Sequence, residues 1–404
     1  MTDQKSLKHL VRGRMARTGE SYTTAHRHVS AHASGGAAEA TRHAGVVAGY
    51  PGFGAEDHHP SAMARHLLAV AGVDISEPMA CGLGGGVGFM YAVFEYKQVE
   101  HPLVTIVAQH HPTPWLSAVT ENLGVGLDTQ HSSSGSAART KLDSRLEAGT
   151  PALVTVARGL LPHQPGGSDM EAAEPYQVVV AGRRGDDYLL DDLASTPQVV
   201  SGDELVAAWA AHRKGRFELI TLVRDSVEEL DLGNALPLAI RRALQLTVGH
   251  LTGPVLGNSF DVNFGISGMS KLAAELRDGT RKQGWPRRFA TPAHAAYAGS
   301  RLHRCLTDAY TAVGATRPLY ARFLAEAAEI VDHPALVEAA HLFGQSGERW
   351  TALAADADSF ASVLAGGERP VDVPLAFSAF ADIVDECAAL EEQGAGRMQD
   401  FLDG

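Results

Sequence analysis

Hydrophobic positions change their period once along this chain. Between residues 45 and 223 they fall in short runs rich in β-branched residues: "GVVAGY" (45–50), "LVTIVAQ" (103–109), "ALVTVA" (152–157), "YQVVVAG" (176–182), "YLLDD" (188–192) and "FELITLV" (217–223). Such runs predict strands. Among them lie helical patterns over 60–71, 114–123, 137–148 and 203–212. The last of these opens on Ser201 and Glu204, spaced so that each side chain satisfies a free amide of the other. After Asp225 the strands stop, and stretches such as "NALPLAIRRALQLTVGHL", "SRLHRCLTDAYTAVG" and "PALVEAAHLFGQSGERWTALAADA" repeat near every 3.6 residues. This pattern predicts a mixed α+β domain over 45–224 followed by an all-helical domain over 234–404. Ahead of both, residues 1–33 read as a short helical hairpin: Leu7, Leu10, Val11 and Met15 share one face, and the turn "TGESY" restarts a second helix. Small residues over 30–45 read as a linker.

Charge narrows the range of partners. The 404 residues carry a net charge of -13, so nucleic acid is not expected as the main partner, because phosphate binding needs concentrated positive surface. The arm over 1–33 runs the other way, with Lys5, Lys8, Arg12, Arg14, Arg17 and Arg27 against Asp3 and Glu20. It suits packing on the chain's own acidic surface or docking an acidic partner such as a carrier protein. The longest apolar run, 80–94, contains five glycines and is too short to span a bilayer. The charged N-terminus lacks the apolar stretch of a signal peptide, so a cytoplasmic protein without a membrane segment is expected. Three scattered cysteines, Cys81, Cys305 and Cys387, offer neither a disulfide framework nor a C-x-x-C site.

Several familiar motifs fail. "GLGGGVGF" (82–89) fits no G-x-G-x-x-G register and precedes no Gly-Lys-Ser/Thr, so its glycines are expected to serve a tight turn and close backbone packing. There is no G-x-S-x-G and no H-E-x-x-H.

One longer pattern succeeds. "HHPSAMARHLLAVAGVDISEPMACGLGGGVGFMY" (58–91) resembles the N-terminal domain of the butirosin-biosynthesis protein H family. In the second half, "FGISGMSKLAAELRDGTRKQGWPRRF" (264–289), "RPLYARFLAEAA" (317–328) and "FGQSGERW" (343–350) resemble the helical domain of unknown function that commonly follows it. The resemblance covers about residues 45–360. It implies a papain-like fold and an acyltransferase of specialised metabolism that moves an aminoacyl chain from a carrier-protein thioester to an amine. In that scheme a cysteine at a helix start is acylated, a histidine on a strand deprotonates it, and an acidic residue orients the histidine. This chain departs at two places. His59 stands where the cysteine is expected and Tyr176 where the base is expected, while Asp191 matches the third role.

Other residues are candidates to rescue the chemistry. Cys81 lies within the glycine segment, and Ser61 lies one residue inside the helix that Pro60 would start. His59 at the helix start would be kept neutral and could serve Ser61 as base. Nineteen histidines also raise a metal reading, with His58, His59, His110, His111 and His131 as candidate ligands, His163 further on, and His28 and His32 four apart in the arm. Trp115 is a candidate pocket wall or core residue, and "HSSSG" (131–135) a candidate oxyanion donor or plain loop. Three functions remain open: an acyl- or amide-processing enzyme with a non-standard site, a non-catalytic descendant that binds a carrier-linked or peptide ligand, and a histidine-metal hydrolase. Expected partners are an acyl carrier protein, a small amine or peptide substrate and a second copy of the chain; no cofactor is expected.

Overall fold

A computed structural model describes residues 44–96, 101–164, 175–212, 216–367 and 371–404. The basic arm, most of the linker, His28 and His32 lie outside the described residues.

The first helix, α1 (His59–Val70), starts where the sequence places it, with Pro60 in the first turn, and buries Ala62, Met63, Leu67 and Leu68. α2 (Glu77–Leu83) is held at its start by Ser76, whose hydroxyl accepts from the Met79 amide. The chain then forms an antiparallel hairpin, β1 (Val87–Phe94) and β2 (Leu103–Gln109), with Tyr91 opposite Ile106. α3 (Trp115–Leu123) stops at Gly124, whose φ of 76° is left-handed.

Next come β3 (Leu127–Gln130), α4 (Gly135–Glu147), β4 (Ala152–Ala157), β5 (Pro175–Arg184), β6 (Asp187–Asp191), β7 (Gln198–Ser201), α5 (Gly202–Ala211) and β8 (Leu219–Leu222). The six strands form one antiparallel sheet in the order β3-β8-β4-β5-β6-β7. β4 is buried along its whole length. The expected capping pair at the start of α5 is formed. The expected strand over 45–50 is reduced to one bridge, Val46 to Gly182, because Gly45 and Gly49 take left-handed φ angles that end an extended run.

The second half is helical: α6 (Arg224–Glu228), α7 (Leu232–Thr252), α8 (Gly265–Arg277), α9 (Trp285–Arg288), α10 (Pro292–Thr307), α11 (Arg317–Val331), α12 (Pro334–Gly366) and α13 (Val373–Asp403). No described helix is long and apolar enough to cross a membrane. The molecule is therefore an α+β papain-like domain followed by an all-helical one.

Packing does not respect that linear division. The hairpin's Phe89, Tyr91, Val104 and Ile106 share one core with Trp285, Leu302, Trp350 and Phe377 of the helical half. α1, α2 and α3 share another with α7 and α11. The six-stranded sheet buries its own face against α4 and α5. The glycine segment is the joint: a Cβ on Gly82 would meet the Phe323 ring at 2.1 Å, and one on Gly86, whose φ is +59°, would meet Tyr320 at 2.1 Å. These glycines let one helix of the second half, α11, close directly on the backbone of the first.

Candidate functional site

The start of α1 faces β5 and the end of β6. His59 leaves the helix start toward Tyr176 on β5, and the two rings stack with centroids 4.8 Å apart and planes 24° from parallel. Both address Asp192, the residue after β6. The Tyr176 hydroxyl donates to Asp192 Oδ1, and His59 Nε2 stands 3.3 Å from the same oxygen, at ion-pair distance rather than as an aligned hydrogen bond. On the other oxygen, His163 Nε2 approaches to 2.6 Å and the Gln164 amide donates. Arg158 lies over the Tyr176 ring at 4.9 Å and donates from Nε to Gln164 Oε1.

Electrostatics follow from this arrangement. Burial would raise the Asp192 carboxyl, but its contacts with His163, His59 and Tyr176 hold it well below the usual carboxylate range. Burial, together with the Asp192 charge, pushes the Tyr176 phenol up, so it stays a proton donor. The Asp192 side chain is 1% exposed, while those of His59 and His163 are each 17% exposed. The site thus sets two partly exposed imidazoles on one sealed, ionised carboxylate.

Asp191 does not join them. Successive residues of a strand point to opposite faces, and Asp191 turns inward, where its Oδ2 meets His66 Nδ1 at 2.5 Å and accepts from the Tyr50 hydroxyl at 2.5 Å. His66 also meets Glu56 at 3.0 Å. The orienting carboxylate at the His59 and Tyr176 positions is therefore Asp192, and Asp191 anchors α1 to the sheet. The sequence signal for Asp192 is the doubled acid in "YLLDD"; His163 and Gln164 lie in a loop without periodicity, where no pattern pairs them with it.

Comparison with known proteins agrees with this frame. Residues 58–193 match the family described as butirosin biosynthesis protein H, N-terminal, and residues 215–398 match the Domain of unknown function (DUF4872). The chain belongs to the butirosin biosynthesis protein H-like family. No curated protein matches it significantly.

In this family member the substitute nucleophiles named from sequence are enclosed. Ser61 is 0% exposed, and its hydroxyl lies 2.6 Å from Nδ1 of His58 rather than beside His59. His58 Nε2 lies 2.7 Å from Gln109 Oε1, so Nε2 carries the proton and Nδ1 accepts from Ser61. Burial keeps His58 neutral, at about 4. Cys81 is also 0% exposed, and burial pushes its thiol up. Cys305 and Cys387 are likewise buried and free.

The candidate metal ligands separate. His58 is engaged with Ser61 and Gln109, His110 packs on His250 at 5.0 Å, the His111 carbonyl accepts from His250 Nε2 at 2.6 Å, and His131 sits exposed 3.8 Å from Glu218. Among the described residues, no group of three or more His, Cys, Asp or Glu is arranged to hold a metal ion. Trp115 is 5% exposed and sets its ring edge-on to His58, in the core. In "HSSSG", Ser134 caps the start of α4.

Proposed function

We propose that the chain is an acyltransferase-like protein of specialised metabolism that moves an acyl group directly from a thioester, such as one on an acyl carrier protein, to an amine. The observation that carries this reading is the single carboxylate, Asp192, shared by His59, His163 and Tyr176. Asp192 orients both partly exposed rings. His59 takes the proton of the attacking amine as the C–N bond forms. His163 gives a proton to the sulfur as the C–S bond breaks. No acyl-enzyme is required, which suits a site whose Ser61 and Cys81 are enclosed.

The enclosure of those two residues also favours a second reading, a non-catalytic protein that binds a carrier-linked or peptide ligand in the same place. Intact-protein mass spectrometry and product analysis with a panel of acyl-thioesters and amines separate the two. Direct transfer gives amide product with no mass adduct, and turnover is lost in His59→Ala. Saturable binding of the same compounds without thioester loss supports the binding protein.

A further inference from the structure

At the far end of the β1–β2 hairpin, away from the residues around Asp192, lies a cavity of about 440 Å³ whose walls include Lys282, Arg287, Arg288, His101, His294 and Glu95. We propose that this cavity binds a phosphate-bearing small molecule. Three permanent cations meet here on a protein of net charge -13, against one carboxylate among the lining residues. Like charges gather at a cost unless an anion compensates them, and the protein's own compensation is loose. Glu95 stands 3.8 Å from Lys282 Nζ and 3.5 Å from Arg288 Nε, and Glu275 stands 3.8 Å from the other side of Arg288. These separations exceed those of a charge-assisted hydrogen bond, about 2.7–2.9 Å. Arg288 Nε has no hydrogen-bond partner.

The geometry favours phosphate over a smaller anion. Arg287 is steadied by a bond from one nitrogen to the Thr280 carbonyl at 2.7 Å, which leaves the rest of its fork for a ligand. His101 stacks on Tyr297 at 4.8 Å and meets the edge of His294 at 4.8 Å, giving a flat imidazole wall beside the cations. His294 lies in the first turn of α10, a 16-residue helix whose positive end adds to the field. A dianion with three acceptor oxygens uses several donors at once, and the volume suits a ligand larger than a bare ion.

The test is titration calorimetry of the full chain with inorganic phosphate and with adenosine monophosphate, at ionic strength fixed with sodium chloride. The comparison is Lys282→Gln/Arg287→Gln, two exposed positions outside the core. The expected result is saturable binding at one site per chain, weakened at least tenfold in the double variant, whose melting temperature without ligand is unchanged. Tighter binding of the nucleotide assigns the site to a phosphate ester; equal binding assigns it to free phosphate. Absence of saturable binding of both probes, or equal affinity in parent and double variant, overturns the proposal.

Discussion

His59 and Tyr176 stack face to face at 4.8 Å, in the two places where the family resemblance leads one to expect a thiol and its base. The two rings exchange no proton with each other; each turns its polar atom to Asp192. Restoring the expected pair should therefore restore covalent chemistry. His59→Cys/Tyr176→His is expected to take up an acyl group from a thioester, read as a mass increase mapped to the introduced thiol. His59→Cys alone, with a phenol held as a proton donor beside it, is expected to acylate at least tenfold more slowly.

The two neighbouring carboxylates should fail differently. Asp192→Asn removes the charge that orients both partly exposed imidazoles, and is expected to lower kcat by about a hundredfold or more with KM little changed. Asp191→Asn lies on the inner face with His66 and Tyr50, and should chiefly lower the melting temperature. Steady-state kinetics and thermal melts on the same two proteins separate these outcomes.

That division was only partly legible in the sequence. The runs over 103–109 and 152–157 emerge as strands because they are dense in β-branched residues, and the patterns after Asp225 as helices because their 3.6-residue period is strong. β1 was hidden because Val87 to Ala92 is buried on both faces, so no alternation marks it, and because its glycines read as a turn. β3 and β7, four residues each, are too short to show a period. At the site, the position of His59 was readable from Pro60 and the helix start. Which of Asp191 and Asp192 faces it depends on strand pairing that no local pattern encodes. The burial of Ser61 and Cys81 depends on α1 and α2 closing on each other and on the helical half, a long-range event.

Stability should peak near pH 6.5. Burial alone would lower the pKa of His66, but its bonds to Asp191 and Glu56 raise it to about 9. Relative to an unfolded value of about 6.5, this stabilisation is fully present below that pH and is lost as pH rises through about 9. On the acid side, burial lowers His58 and His250 to about 4, so their contribution is present above about 6.5 and is lost as pH falls toward 4. Melting temperatures recorded from pH 4 to 9.5 are expected to fall on both sides, and His66→Gln is expected to flatten the alkaline side.

A buried ion pair of the helical half reaches across to the β1–β2 hairpin. Arg317 and Glu391 are both fully buried; the guanidinium donates to Glu391 at 2.8 and 2.7 Å, to Gly88 O on β1 at 2.9 Å, and to Ala108 O on β2. Glu391 also accepts from Ser346 at 2.7 Å and Trp350 at 2.8 Å. Removing one partner leaves the other charge uncompensated in the core, so Glu391→Ala is expected to cost about 3–5 kcal/mol in denaturant unfolding. Replacing both, as in Arg317→Met/Glu391→Leu, removes the stranded charge, though it leaves the Gly88 and Ala108 carbonyls without this donor. Recovery of at least half of the single-variant loss is expected, because the charge is the larger penalty. A double variant no better than Glu391→Ala would mean that the bonds from Arg317 to the hairpin, rather than charge balance, hold the halves together.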